Sequence, residues 1–388
     1  MKHDLATKWS QKTKILLDFK GNLMKKINYL AIFIALVTLV TSCKKNEESA
    51  SQGNIDPFWN AKDGIIKLKS GAVVEKRGDL YIWQGDMILT DIQLKTLDQY
   101  GNLFTEKPKH IGPDTTIHPV YNIPMQIGPA NTAVPRAFGN YPTPYNVWAM
   151  VRFVYSPNLT WDRKYIIQEA LAHWEANSNV RFYNATGQPT VDPVYGFAYP
   201  YIEFVNSSFN RSPVGRQGGR QILQLASGQA TSAAIHEIGH ALGLQHEQTR
   251  HDRDDHININ FDNVPDTSEH NFNKQTTNYF AVGSIDYNSV MMYGSYDFAI
   301  NSLVPVMTKK SDGSTWTGGS TLTASDRSWA NNIYIPYIAR SDVYAELADV
   351  VYWPNNIQMT PQERLDFQAY LNNGNPYPPN CCRLPNNF

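Results

Sequence analysis

Three cysteines are all that this 388-residue chain holds, and two of them, Cys381 and Cys382, stand side by side near its end. With Cys43 as the third, no disulfide framework can staple the body of the molecule, and its stability has to come from packing. The adjacent pair receives no role. An excess of charge of one sign is missing as well: 34 Lys and Arg stand against 35 Asp and Glu, for a formal net charge of -1. That balance offers no counterion-driven grip on nucleic acid or another acidic polymer, so no nucleic-acid partner is expected. No repeat is visible. The apolar run at residues 29–40 is shorter than a bilayer-spanning helix requires. What the chain does have is 42% hydrophobic residues, enough to build one large domain or two modest ones.

Lys25 and Lys26 precede that run, which closes on Val40-Thr41-Ser42-Cys43. A basic pair, a short apolar stretch and a small residue before cysteine read as a bacterial lipoprotein export signal, with Cys43 carrying the lipid. Met24 reads as the start of translation, and residues 1–42 as the signal region. The expectation is an exported lipoprotein of the outer membrane, on its periplasmic or surface face, whose acylated Cys43 makes the lipid membrane a partner. Residues 44–56 are small and polar, as a tether should be. Residues 58–134 carry short apolar stretches such as 65–68 and 80–83, broken by Pro and Gly, without a strong amphipathic helix; they read as extended or loosely folded.

A more compact pattern begins near Arg136. Residues 147–155 form a strand candidate, followed by a helix over 161–176 with Ile166, Ile167, Ala170, Leu171 and Trp174 on one stripe. Residues 180–183, 201–205 and 221–226 read as short strands. A second helix spans 232–242, with Thr231 or Ser232 to cap it and Gly243 to stop it. Thr360-Pro361-Gln362-Glu363 opens a further helix with a capping box. The implied class is α+β, a small twisted mixed sheet against two long helices.

The chemistry concentrates in His236-Glu237-Ile238-Gly239-His240-Ala241-Leu242-Gly243-Leu244-Gln245-His246. Residues four apart on a helix lie one turn above each other, so His236 and His240 can offer imidazole nitrogens to one ion. Ile235, Ile238 and Leu242 form a separate stripe that can bury the helix while the histidines face a cleft. Glu237 is offset by about 100° from His236, poorly placed as a ligand but able to reach a water on the metal; it is the candidate general base. Gly243 can take the left-handed conformation that turns the chain back, which lets His246 arrive as third ligand. Three histidines leave a coordination position open, the mark of a catalytic zinc site. His251 and His256 read as solvated loop residues, His173 as a surface residue, and Asp252, Arg253 and Asp254 as a structural ion-pair network.

These residues resemble the metzincin zinc peptidases, and among them the astacins. His246-Glu247-Gln248-Thr249-Arg250-His251-Asp252-Arg253-Asp254 is similar to the astacin pattern H-E-x-x-R-x-D-R-D, and Ser289-Val290-Met291-Met292-Tyr293 to the S-x-M-H-Y turn. The resemblance implies a zincin-like domain with one zinc ion per chain in a cleft between two subdomains. Met291 would be the apolar floor beneath the metal, and Tyr293 a catalytic residue that stabilises the developing oxyanion. Trp83-Gln84-Gly85-Asp86 resembles the F-x-G-D motif of astacin propeptides, which makes Asp86 the carboxylate that blocks the metal in a zymogen. An activating protease would then cut before the catalytic domain, with Arg136–Ala137 as candidate bond, and the new N-terminus would meet Glu247. Polypeptide substrates would pair with an edge strand, for which Gln221, Ile222, Leu223, Gln224 and Leu225 are the candidates. The expected layout is 1–42 signal, 43–136 lipid-tethered propeptide, 137–336 peptidase domain and 337–388 C-terminal extension. Two features depart from the family: its usual disulfides are absent, and Met292 replaces the histidine of the turn. The expected function is a zinc-dependent endopeptidase made as a latent precursor. The alternative is a non-catalytic zinc-binding adhesion lipoprotein, against which the presence of Glu237 and Tyr293 argues.

Overall fold

A 3.6-residue apolar stripe and four short alternating strands account for most of the core. The computed structural model describes residues 62–101, 103, 137–140, 148, 150–193, 196, 198–276, 279–334, 349–353 and 355–371. Cys43, the signal region, Arg136, His110, His118, Cys381 and Cys382 lie outside these residues.

The chain begins with an antiparallel meander, β1 (Gly64–Lys67), β2 (Val73–Arg77), β3 (Leu80–Trp83) and β4 (Met87–Leu89), followed by helix α1 (Asp91–Tyr100). The loosely folded segment expected over residues 58–134 is therefore corrected for residues 62–101, which form a folded module, while the rest of it lies outside the described residues. Its helix is signalled by capping chemistry and not by a stripe. Thr90 and Gln93 form a reciprocal capping box, Gly101 ends the helix at φ 72°, and Leu94 and Leu97 supply its apolar contacts.

Next come β5 (Ala137–Asn140), β6 (Val151–Tyr155), α2 (Trp161–Asn177), β7 (Phe182–Asn184), β8 (Tyr201–Asn206), β9 (Ser212–Pro213), β10 (Arg220–Leu225) and α3 (Thr231–Leu242). Strands β10, β8, β6 and β7 form a parallel sheet in that order. Parallel neighbours need a crossover, and α2 supplies the one between β6 and β7. Ile167, Ala170, Leu171 and Trp174 of α2 are buried, with Ile166 at the margin of the same core. Truncating a tryptophan buried like Trp174 typically costs roughly 3–5 kcal/mol. Its indole N–H also donates to the Ile235 carbonyl at 3.1 Å, while Trp148 donates to Ala241 at 3.0 Å, and both bonds fix α3 from behind. Neither Thr231 nor Ser232 caps α3. The helix starts one residue early, its N-cap is Ala230, and no side chain caps it.

The expected substrate edge is also corrected. Strand β10 ends its sheet, yet Gln224 exchanges backbone hydrogen bonds of 3.0 and 2.8 Å with Arg211 on its outer side. Gly215, Gly218 and Gly219, all at positive φ, turn the chain so that residues 211–213 lie alongside β10. Gln221, Leu223 and Leu225 are buried, and Ile222 and Gln224 half-buried. Of this outer segment Arg211 lines the cleft, whereas Ser212 and Pro213 of β9 are buried. β9 also pairs in parallel with β4, which makes the meander a five-stranded sheet.

Beyond α3 the chain is rich in turns, with β11 (Ile257–Ile259), β12 (Tyr279–Val282) and β13 (Met307–Lys309), before α4 (Ala324–Ile333) and α5 (Pro361–Leu371). Ile257, Val264, Phe272, Ile285, Met292, Val306, Met307 and Trp316 form a second core. Met291 belongs to the first core and its neighbour Met292 to the second, so the seam between them passes through one peptide bond. The C-terminal extension docks on the first core's flank. Asn179 and Tyr352 exchange side-chain-to-backbone bonds at 2.9 and 2.8 Å, Arg181 donates to Val350 O at 2.5 Å, and Asn331 donates to Asn356 Oδ1 at 3.1 Å. No helix among the described residues is long and apolar enough to cross a membrane.

Asn179→Ala should orphan the Tyr352 backbone pair and lower stability by roughly 1–3 kcal/mol. Urea unfolding measures this, and protease sensitivity confined to residues beyond 349 should rise in parallel.

Candidate metal centre

Helix α3 sets His236 above His240 with ring centroids 4.7 Å apart. Gly243, at φ 120° and with its N–H bonded to Gly239 and His240, then reverses the chain. His246 returns with its ring 4.6 Å from His240 and 5.3 Å from His236. The Nε2 atoms converge: His240 to His246 is 3.2 Å and His246 to His236 is 3.4 Å. From the β3–β4 turn, Asp86 inserts its carboxylate, with Oδ2 at 3.1 Å from His246 Nε2 and 3.3 Å from His236 Nε2, and Oδ1 at 3.5 Å from His240 Nε2.

Which nitrogen carries the proton follows from the outer partners. A carbonyl oxygen only accepts, so His236 Nδ1–H donates to Val290 O at 2.7 Å and His240 Nδ1–H to Leu244 O at 2.8 Å. In the neutral tautomer both Nε2 lone pairs then point at the shared centre, an arrangement that is repulsive without a cation and is the usual way proteins orient metal-binding imidazoles. Three imidazole nitrogens and one carboxylate oxygen, all within 4.8 Å of one another, fit a tetrahedral zinc ion.

The surroundings hold this geometry. Met291 O accepts from Glu247 N at 3.0 Å, and a Cβ at Gly239 would stand 2.7 Å from Met291 Sδ. Glycine there lets the thioether close beneath the histidine helix. Glu247 is buried and accepts from Asp286 N at 3.2 Å, with Arg250 at 3.8 Å; burial pushes its carboxyl up to about 8 against the pull of that guanidinium. Arg250 in turn pairs with Asp252 at 2.8 Å, and Arg253 with Asp254 at 2.9 Å, which pins the loop after His246. His173 is bound to Thr321 at 2.9 Å, away from this centre.

Glu237 is buried beside the three histidines. Burial, reinforced by the charge of Asp86, holds its carboxyl well above the usual range. Asp86 goes the other way: burial raises it, but His246, His240 and His236 together outweigh that and hold it well below the ordinary carboxylate value. Tyr293 packs its ring 4.5 Å from that of His246, and its hydroxyl donates to Gln84 O at 2.8 Å. Asp86, Glu237, His236, Arg211, Asn210 and Phe209 line a cleft of about 390 Å³.

Three contributions carry no signal in the sequence pattern. Gln84, fully buried at φ 50°, accepts from Tyr293 and donates to Asn273 O at 3.2 Å. The positive φ of Gly85 and its 3.0 Å Cβ clearance to the Tyr293 hydroxyl explain the glycine that follows. Residues 209–211 form the cleft wall, and the two-residue strand that follows them leaves no period to detect. Asp326 accepts from Ser289 Oγ at 2.6 Å and so braces the turn that carries Met291, a contact across 37 residues that no local motif announces.

Residues 140–335, half of the chain, match the model of the peptidase family described as Astacin. The chain belongs to the astacin family. The matched region contains His236, Glu237, His240, His246, Met291 and Tyr293, whereas Asp86 precedes it. One zinc ion is the cofactor this family and donor set take. Blastula protease 10 of Paracentrotus lividus is 33% identical over 295 residues, covering 74% of this chain and 44% of its own length. Flavastacin of Elizabethkingia meningoseptica is 36% identical over 172 residues, 44% of this chain and 36% of its own. The chain thus spans less than two thirds of either relative. Among solved structures, High choriolytic enzyme 1, a hatching enzyme zinc-protease from Oryzias latipes (medaka fish), superposes with a TM-score of 0.42 at 29% identity, over 48% of this chain and 88% of that one.

Two outcomes follow from the site. Purified protein should hold one zinc per chain by elemental analysis, and His240→Ala should reduce that to trace levels without unfolding the parallel sheet. Asp326 gives a pH signature, because burial pushes its carboxyl up to about 6 against the hydrogen bonds from Ser289 and Thr323. The fold therefore keeps a proton that the unfolded chain has already lost, and this contribution falls as pH rises from about 4 through about 6. Asp326→Asn should flatten the loss by on the order of 2 kcal/mol in urea titrations across that window.

Proposed function

We propose that this chain is the latent precursor of a zinc-dependent endopeptidase acting on extended polypeptides. The observation that carries the reading is the carboxylate of Asp86 among His236, His240 and His246, with Glu237 buried alongside and lacking a partner for its Oε2 among the described residues. His236, His240 and His246 would hold the ion, with the Asp86 carboxylate, which lies against all three, as a further ligand in place of water. When bound, zinc polarises a carbonyl and lowers the pKa of water toward ~7. Glu237, buried beside the three histidines, receives the proton of the attacking water and passes it to the leaving amine. Tyr293 donates its hydroxyl to the oxygen of the scissile carbonyl once Gln84 no longer occupies it.

Latency rests on the same contacts. Residues 43–136 act as a propeptide, β4 lies along β9, and Ser212 N–H donates to Asp86 O at 3.1 Å, so a strand fills the groove that a substrate would enter. An activating protease cuts ahead of the matched domain, with Arg136–Ala137 as candidate bond, and the freed ammonium pairs with Glu247, whose buried carboxylate is short of positive charge. The sequence around Cys43 supports export as an outer-membrane lipoprotein. Because the lipid is on the propeptide, cleavage would also release the peptidase to the extracellular space.

After propeptide removal, wild type should cleave a mixed peptide library and Glu237→Gln should lose at least roughly a thousandfold in kcat with zinc retained. Unprocessed Asp86→Asn should show activity that the unprocessed wild type lacks. A zinc-loaded, processed wild type that cuts nothing would favour the adhesion-protein alternative.

A further inference from the structure

Residues 62–101 close on themselves as well as on the rest of the chain. Lys69 N–H donates to Asp98 Oδ1 at 2.7 Å, Ser70 N–H to Asp98 O at 3.0 Å, and the Ser70 hydroxyl to Leu97 O at 2.6 Å. The Lys69 ammonium pairs with the same Asp98 carboxylate at 3.3 Å. The β1–β2 turn is thereby stapled to the end of α1, and Val74, Ile82, Leu94 and Leu97 are buried. Bonds of this kind hold the shape of the module without help from the chain that follows it.

Its grip on the matched domain comes from one stretch. Strand β4 pairs with β9 through Met87 and Ile88, and Ser212 N–H donates to Asp86 O. The Gln93 amide reaches Val214 O at 3.4 Å, the Gln84 amide reaches Asn273 O at 3.2 Å, and the Arg77 guanidinium stands 4.9 Å from the ring of Phe209. Trp83 and Met87 are buried as well. All of these contacts are made by residues 77–93. Hydrolysis at Arg136–Ala137 adds water across one C–N bond, leaves a carboxylate and an ammonium, and breaks none of them. What the cut removes is a tether, whose contribution is an effective concentration on the order of millimolar. Backbone pairing, buried apolar side chains and a carboxylate among the histidines persist, and together they make a specific interface.

We propose that residues 62–101 are a separable inhibitor: scission ahead of Ala137 leaves the module seated non-covalently in the cleft, and the peptidase stays latent until the module dissociates or is itself degraded. This rests on the latent-peptidase reading above and adds a second step to it. The release proposed there then coincides with loss of the module, and the cut alone leaves the peptidase held by whatever holds Cys43.

The test uses the full chain, zinc-loaded, with the recognition sequence of a site-specific protease replacing the residues just ahead of Ala137, so that the new N-terminus is Ala137. After complete cutting at micromolar concentration, both fragments should co-elute as one species in gel filtration, and peptide cleavage should stay at the level of the uncut chain. On serial dilution, activity per molecule should rise along a two-body dissociation curve. Asp86→Asn should move the midpoint of that curve to roughly tenfold higher concentration or more, and Arg77→Ala by roughly threefold. Fragments that separate as soon as the chain is cut, or activity that appears at once and is independent of concentration, overturn the proposal. A cut pair that co-elutes, comes apart on dilution and never cleaves a peptide would retain the separable module and remove the peptidase assignment.

Discussion

Three imidazole nitrogens meeting at 3.2–3.4 Å are the constraint around which the rest of this molecule is arranged. Lone pairs at that distance repel, and the fold tolerates them because each element around the centre commits something to it. Val290 and Leu244 lend carbonyls that fix two tautomers, Gly239 gives up its side chain to Met291, and Gly243 accepts a backbone conformation that a side chain would strain. Trp148 and Trp174 brace the histidine helix from the opposite face with indole hydrogen bonds. A site assembled this way is costly for the apo chain and relieved by a cation, so stability and metal loading are two readings of one equilibrium.

Asp86 completes the arrangement from a distant part of the sequence. The three histidines hold its carboxyl low, and its charge adds to burial in raising the proton affinity of Glu237 and Tyr293. The same β3–β4 turn carries Gln84, which engages the Tyr293 hydroxyl. The histidine cluster and the Tyr293 hydroxyl are thus both engaged by two residues of one turn in a small sheet, and that sheet continues through β9 to the chain beside the cleft.

The zinc motif is legible because its spacing is enforced locally: one helical turn separates two ligands and one glycine stop returns the third. Helix α2 is legible for the same reason, its stripe from Ile167 to Trp174 being wide enough to show a period. What stays hidden depends on partners far away in the chain. The N-terminal meander looks like loose chain because each strand is three to five residues long and finds its partner only through turns. Helix α1 buries two leucines and takes its definition from Thr90 and Gln93. Strand β10 reads as the substrate edge because a longer alternating strand outweighs a two-residue one, yet it is the glycine-rich turn at 215–219 that brings Arg211 outside it.

The docking of residues 349–356 on Asn179 and Arg181 bears on the order in which the molecule is completed. These bonds join positions 169 and 173 residues apart, and Asn331 ties the same segment to α4. Contacts of such separation close late, because the intervening chain must first be ordered. The strand β7 and the C-terminal end of α2 therefore keep backbone and side-chain partners open until residues 349–356 are in place, so the flank of the first core depends on a segment far away in sequence.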